Sequence, residues 1–424
     1  MENNILKTRW LYLLLFCVVN LFTGLLYCWS VLSLPLAEHL SQAVGEPVKV
    51  QDLALAFSFA SFINPVGMII GGYFCDRFGP KIVLVPSGLI VALGLALTST
   101  ATSVTQVNIF FGLIFGFGVG LTYTSTIGSV LKYFPDRAGF AGGLASMAYG
   151  CCAIILPPIA NLLIQNFGTS MSLRILAICS GSVIVIGGLL SQKCPSGIAI
   201  ALKKVLSNKK TKLSCAGPDK DWKQMLATPA FWPMLFLYIS GCTAPLMMFS
   251  SASSIAQMQA GFTPAAAALC VSAIAFANTV ARFIAGSASD KFGRLPSLAC
   301  AQILSFVGLG CLMAATQENQ SFFVAGLILL GICYGSFVGI YPGFTVDQFG
   351  SKHNSVNYGI MAAGFSLGGV LGPVILTVTA DGSNFSLAYI SATSVGLVGA
   401  VCWLVCIRLL SKNKKEFNPE KLQN

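Results

Sequence analysis

Charge is scarce in this 424-residue sequence: 9% of positions are Asp, Glu, Lys or Arg, where a soluble domain carries about a quarter. That scarcity excludes an ordinary water-soluble fold and a disordered chain, both of which need polar surface to stay in solution. Histidine is rarer still, with only His39 and His353, both in segments read as loops, so the usual neutral-pH titrating group is missing from any buried site. None of the 14 acidic residues lies in the middle of an apolar segment; Asp52, Asp76, Asp136, Asp290 and Asp347 stand at helix ends or in loops. A buried carboxylate proton relay is therefore not expected. The sequence also lacks a G-x-x-x-x-G-K-[ST] loop, H-E-x-x-H, G-x-S-x-G and paired-cysteine metal spacing. It is not read as an enzyme, and no cofactor or metal is expected. The 15 cysteines are scattered singly, apart from the adjacent Cys151 and Cys152, and read as small buried residues and not as a disulfide framework.

What is abundant is apolar sequence, at 55% of positions spread along the whole chain. A bilayer crossing takes about 20 apolar residues. Twelve such segments are found, at about 11 to 33, 51 to 74, 82 to 102, 106 to 131, 139 to 165, 172 to 191, 230 to 257, 264 to 288, 297 to 316, 320 to 346, 355 to 379 and 386 to 410. The first is too long for a signal-peptide core and is read as a retained helix. The expected fold is an all-α membrane protein with 12 transmembrane helices in two six-helix bundles. Residues 1–191 form the first bundle, 192–229 a basic linker, 230–410 the second bundle and 411–424 a tail. The linker holds eight lysines together with Pro195, Gly197, Gly217 and Pro218; its stretch GIAIALKKVL reads equally as a basic amphipathic helix on an anionic leaflet or as solvated linker.

The formal charge of +11, from 25 Lys and Arg against 14 Asp and Glu, reports orientation and not nucleic-acid binding. With both termini and the linker on one side, 22 of the 25 basic residues fall on that side, only Lys49 and Arg174 opposite, and Arg282 inside a helix. By the positive-inside rule the basic side is the cytoplasm, and so strong a bias supports an even number of crossings. A multi-pass protein of a plasma membrane is expected, in bacteria the inner membrane, working as a monomer.

The two halves repeat each other. GGYFCDRFGPK after the second segment matches AGSASDKFGRL after the eighth, pairing Gly72 with Gly286, Asp76 with Asp290, Arg77 with Lys291 and Gly79 with Gly293. Asn64 and Asn278 share the same offset, and a second correspondence pairs Gly143 with Gly359, Tyr149 with Phe365 and Pro157 with Pro373. Repeated units in parallel orientation suit a transporter of two rocking halves. In physical terms the Gly admits a close neighbour and the Asp meets the positive N-terminal end of a helix; such a latch would hold one access state, unless these charges only set topology.

These two G-x-x-x-D-[RK]-F-G loops resemble the signature loop of the major facilitator superfamily, and the resemblance spans essentially the whole chain. Within it, YCWSVLSLPL, GFGVGLTYTSTIGSVLKYFPDRAG, NTVARFIAGSASDKFGR and VDQFGSKHNSVNYG are similar to the oxalate:formate antiporter family, with monocarboxylate carriers as close relatives. Arg282 is the one charge placed well inside a membrane segment, where a central Arg costs about 2.5 to 3.5 kcal/mol on insertion scales. The resemblance puts the anion-binding Arg of that family there; the alternative is that Arg282 snorkels or pairs with Asp347. The family's second cation, on the eleventh helix, is replaced by Phe365, and no Lys or Arg occurs between Lys352 and Arg408. One fixed positive charge suits a small monocarboxylate such as formate, lactate or pyruvate better than a dianion. Tyr27 and Tyr123 align with positions that line the family's cavity, and Tyr334 replaces an aromatic there; each alone could be packing. Trp29, Tyr149 and Tyr341 are weaker candidates. The stripes Gly112, Gly116, Gly120 and Gly364, Gly368, Gly372 are read first as close helix packing.

The resulting expectation is a secondary transporter for a small organic anion, working by alternating access and exchange. Its partners would be a carboxylate and the lipid bilayer, with no nucleic acid. Proton-coupled monocarboxylate symport, export of a drug or neutral solute, and a non-transporting membrane sensor are the alternatives.

Overall fold

The structure, a computed structural model, describes residues 2–195, 218–380 and 384–416. The central part of the basic linker and the end of the tail lie outside the described residues, and with them the amphipathic-helix reading of GIAIALKKVL.

Among the described residues, 11 helices are long and apolar enough to cross a membrane. One of them, Ala138–Leu190, has 53 residues, which at 1.5 Å per residue would reach about 80 Å, more than twice the hydrocarbon thickness. It is broken at Gly168, whose φ of 75° and ψ of 170° are non-helical. A positive φ is open to glycine at little cost. Counting its two limbs separately gives the 12 crossings the sequence implies.

In chain order the helices are α1 (Glu2–Thr23), α2 (Trp29–Val44), α3 (Ala54–Phe78), α4 (Pro80–Thr98), α5 (Val104–Tyr133), α6 (138–167), α7 (169–190), α8 (Trp222–Ala227), α9 (Phe231–Ala260), α10 (Pro264–Phe292), α11 (Arg294–Ala314), α12 (Gln320–Phe349), α13 (Asn354–Met361), α14 (Ala363–Thr379) and α15 (Ser386–Glu416). A 3₁₀ turn over Gly24–Cys28 joins α1 to α2, and α5 is underwound to a π-helix over Asn108–Phe115.

Many of the large side chains pointing outward are apolar, with Phe62 72%, Leu269 71% and Val378 78% exposed. Apolar surface on this scale is a lipid-facing surface. The buried faces instead carry small and hydroxyl side chains. Thr122, Ser125, Thr126 and Ser129 of α5 return their hydroxyl groups to carbonyls of their own helix, so they enter the interior without an unsatisfied donor.

Two compact units result, one of residues 1–219 with 342–362 and the other of 220–341 with 363–424. In the first, Gly67, Gly71, Gly116 and Gly120 bring α3 and α5 into backbone contact, and Gly88, Gly181 and Gly188 do the same for α4 and α7. In the second, Gly364, Gly368 and Gly372 seat α14 against Tyr238, Cys242, Thr243 and Met247 of α9. Both glycine stripes of the sequence thus act as packing surfaces, where lipid offers no competing hydrophobic drive and close approach supplies the attraction.

Candidate functional site

Arg282 lies in α10 and is 1% exposed. At that burial it does not snorkel to water. Its Nε donates to Asn278 Oδ1 at 3.2 Å, one turn earlier on the same helix, and its guanidinium carbon stands 5.8 Å from the centroid of the Tyr334 ring. The ring face is electron-rich and favours a cation there. Tyr334 in turn meets Phe249 at 5.7 Å in a T-shaped contact.

What holds this arrangement is a glycine stripe that the sequence reading missed. Gly331, Gly335 and Gly339 of α12 press against the carbonyls of Ile274, Asn278 and Arg282 respectively, and a Cβ at any of them would overlap those oxygens. The four-residue spacing was visible in the sequence. Its partner helix was not.

Phe365 is half-buried in α14 and its ring lies 6.4 Å from Tyr238, which stacks at 3.8 Å on Tyr341. Tyr341 hydroxyl donates to the Met234 carbonyl at 2.7 Å, so this weaker candidate is engaged with backbone. In the unit of residues 1–219 with 342–362, Tyr27 and Tyr123 are brought together through Tyr149, with ring centroids 5.5 Å and 4.9 Å from it. Tyr27 sits on the 3₁₀ turn next to α2. Trp29 follows it and packs at 4.5 Å against Phe111 of the π segment. The overwound turn thus carries Tyr27 of the tyrosine cluster, and the underwound stretch packs on the first residue of α2 just after it; π segments recur at functional positions.

The loop residues fall into two different settings. Asp76, at the end of α3, pairs with Lys132 of α5 and accepts from the backbone N–H groups of Ser355 at 3.2 Å and Val356 at 3.0 Å. These are the second and third residues of α13, where a capping carboxylate belongs, against the positive end of the helix. Gly72, one turn earlier, admits α13: a Cβ there would lie 2.5 Å from the Ser355 carbonyl. Gly128 of α5 meets the Ser355 side chain, and Thr124 Oγ1 donates to the Ser355 carbonyl at 3.0 Å. Arg77 is exposed, with its guanidinium 5.3 Å from the Phe78 ring and its carbonyl accepting from Lys193 at 2.8 Å. Beyond the membrane segment, burial pushes the Cys194 thiol up to about 12, and it donates to the Lys132 carbonyl at 3.3 Å.

In the second loop Asp290 pairs with Arg294 at 2.8 Å, while Lys291 lies 5.4 Å from the Phe292 ring and Gly286 is buried in α10. Gly79 and Gly293, which end α3 and α10, have φ of 96° and 97°. Both repeats therefore need glycine at this point for the same conformational reason.

A further polar contact, absent from the sequence reading, joins α1 to the α5–α6 loop. Arg9 donates to both carboxylate oxygens of Asp136, at 2.8 Å and 3.3 Å, with the guanidinium 4.6 Å from the Phe134 ring.

Comparison with known proteins accords with this architecture. The family model of the Major Facilitator Superfamily matches residues 14–277 and 244–424. The chain is similar to the oxalate:formate antiporter of Oxalobacter formigenes, 25% identical over 386 residues that cover 89% of this chain and 87% of that protein. It is also similar to the uncharacterized MFS-type transporter YhjX of Escherichia coli (strain K12), 25% identical over 370 residues covering 87% of each. Monocarboxylate transporter 12 of Xenopus laevis is 23% identical over 83% of this chain and 78% of its own length. Among solved structures, the proton:xylose symporter XylE superposes with a TM-score of 0.69 at 14% identity, covering 94% of this chain and 95% of its own. At that identity the likeness concerns the fold.

Proposed function

The chain belongs to the Major Facilitator Superfamily, and from that premise we propose that this multi-pass membrane transporter carries a small monocarboxylate by alternating access, as an anion exchanger. The observation that carries the reading is the buried Arg282. A guanidinium 1% exposed in an apolar helix is costly to retain unless it is neutralised by a partner, and its planar fork fits a carboxylate in two parallel hydrogen bonds. Asn278 and Tyr334 orient it. Phe365, in place of a second cation, favours one negative charge over two. The names of the relatives, an oxalate:formate antiporter and a monocarboxylate transporter, support the same substrate class.

Exchange follows from charge. A loaded carrier closes with a carboxylate paired to Arg282, whereas an empty one closes without that added negative charge, which raises the barrier to unloaded return. In this reading Asp76 holds α13 in one access state, and release of residues 342–362 accompanies the other. The domain limits follow the repeat, with the basic loops and both termini cytoplasmic in a plasma membrane and the monomer as the working unit.

The test is counterflow in proteoliposomes, with labelled formate, lactate, pyruvate and oxalate offered to wild type and to Arg282→Gln and Arg282→Lys. We expect exchange of a monocarboxylate, reduced about 100-fold or more in Arg282→Gln by loss of a buried charge-assisted pair, with Arg282→Lys recovering only part because an ammonium lacks the fork. Preference for oxalate would overturn the one-cation argument from Phe365. Net uptake as fast as exchange would overturn the exchanger in favour of proton symport, and full activity in Arg282→Gln would favour a neutral solute.

A further inference from the structure

Arg174 is out of place by charge distribution. On the side opposite the basic loops it is one of only two basic residues, the other being Lys49, so it does not serve orientation. The structure puts it at the wall of an open cavity of about 460 Å³ beside the Gly168 break, between α2 and the start of α7. The cavity is formed because α1, the 3₁₀ turn and α2 make one continuous helical run through Val44, and the α6–α7 turn folds against its far end, with Thr169 Oγ1 donating to the Pro35 carbonyl at 3.3 Å.

Three features of the wall are chemically specific. Arg174 Nε donates to Ser99 Oγ at 3.2 Å, and Ser170 Oγ donates to the Ser99 carbonyl at 2.6 Å, so the guanidinium stem is held. Among the described residues no carboxylate lies within ion-pair distance of it, although Glu38 lines the same cavity. His39 and Gln42 add further polar groups, and Phe167 and Met171, 58% and 49% exposed, add an apolar wall. At Gly168 itself a Cβ would meet nothing within 4 Å.

We infer that this cavity is a second, peripheral site for a small monocarboxylate, with the carboxylate on Arg174 and a short apolar tail against Phe167 and Met171, separate from Arg282. The choice of ligand rests on the carboxylate reading of the transporter; the cavity and its unpaired cation do not. A guanidinium next to apolar surface, at an otherwise cation-poor face, is a loading site for the anion before it enters the membrane region. Glu38 opposes the anion and weakens the site.

The experiment uses full-length protein in nanodiscs carrying Met171→Cys, labelled with a maleimide and read by mass spectrometry of that peptide, with L-lactate, chloride or inorganic phosphate at equal ionic strength. Lactate is expected to slow labelling, to do so equally in an Arg282→Gln background, to need about tenfold higher concentration with Arg174→Gln, and about threefold lower with Glu38→Gln. Opposite signs for the two charge changes distinguish a ligand site from a structural one. Lactate protection no greater than chloride, or protection lost in Arg282→Gln and kept in Arg174→Gln, overturns the inference. Protection matched by phosphate overturns the carboxylate assignment in favour of a lipid headgroup. Counterflow failing in wild type while lactate still protects would remove the proposed transport function and leave this site standing.

Discussion

Replacing Asp76 by Asn removes one negative charge from a point where three donors converge: Lys132 and the backbone N–H groups of Ser355 and Val356. The amide can still accept one hydrogen bond, but the attraction to the α13 N-terminus is lost and the Lys132 ammonium, 18% exposed at its side chain, is left in a mostly desolvated place. Two charge-assisted hydrogen bonds contribute about 1.5 to 3 kcal/mol each, and the retained neutral bond offsets part of their loss. A net penalty of about 3 kcal/mol on docking of α13 shifts its docked-to-undocked ratio roughly 150-fold. A native reporter is in place. Cys75, next in sequence to Asp76 and 2% exposed, has its thiol 3.6 Å from Ser129 Oγ under the covered face. Maleimide labelling of the Cys75 peptide, followed by mass spectrometry in membranes, is expected to accelerate by one to two orders of magnitude in Asp76→Asn and much less in Asp76→Glu, which keeps the charge. An unchanged Cys75 labelling rate in folded Asp76→Asn protein would refute the claim that this carboxylate holds α13.

Other outcomes follow from the same contacts. Gly339→Ala places a methyl against the Arg282 carbonyl; overpacking of about 1 to 3 kcal/mol should lower the melting temperature by several degrees, and because the displaced turn carries Arg282, counterflow should fall further than stability does. Asp136→Asn strands the Arg9 guanidinium in its buried setting and should destabilise the protein by about 3 kcal/mol in detergent melting, whereas joint replacement of Arg9 by Met and Asp136 by Leu should recover much of that loss; equal damage in both variants would count against a buried pair. Gly168→Ala has room for the methyl but forces a side chain onto φ of 75° and ψ of 170°, a region kept almost entirely to glycine, and the strain of about 1 to 3 kcal/mol should appear as a lower thermal midpoint.

Much of the architecture was legible because its cause is local. Apolar runs of a length set by the bilayer marked the crossings, and the 20-odd basic residues on one side constrained their number. Gly79 and Gly293 were visible as paired residues of the repeated loop, and the structure adds why both are glycine: each ends its helix at a positive φ that only glycine takes cheaply. Arg282 stood out from composition alone: an isolated cation in an apolar stretch. The stripe on α12 shows where such reading stops. Gly331, Gly335 and Gly339 have the same spacing as the stripes that were noticed, but a spacing says that a helix has a smooth side and not which helix meets it.

The sequence by itself determined an all-helical membrane protein of two related halves with one cation placed inside a membrane segment, because lipid as solvent and the 3.6-residue period act on neighbouring positions. Only the tertiary structure decided the pairings: Asp76 with α13, 279 and 280 residues away, and Arg9 with Asp136, 127 residues away. It also decided the departures from regular helix at Gly24–Cys28 and Asn108–Phe115, where hydrogen-bond registers that are nearly equal in energy are selected by what packs against them. The physical reason is range. Burial and helix propensity are written in the next few residues, whereas a charge finds its partner, and a glycine its facing backbone, only after the chain has closed on itself.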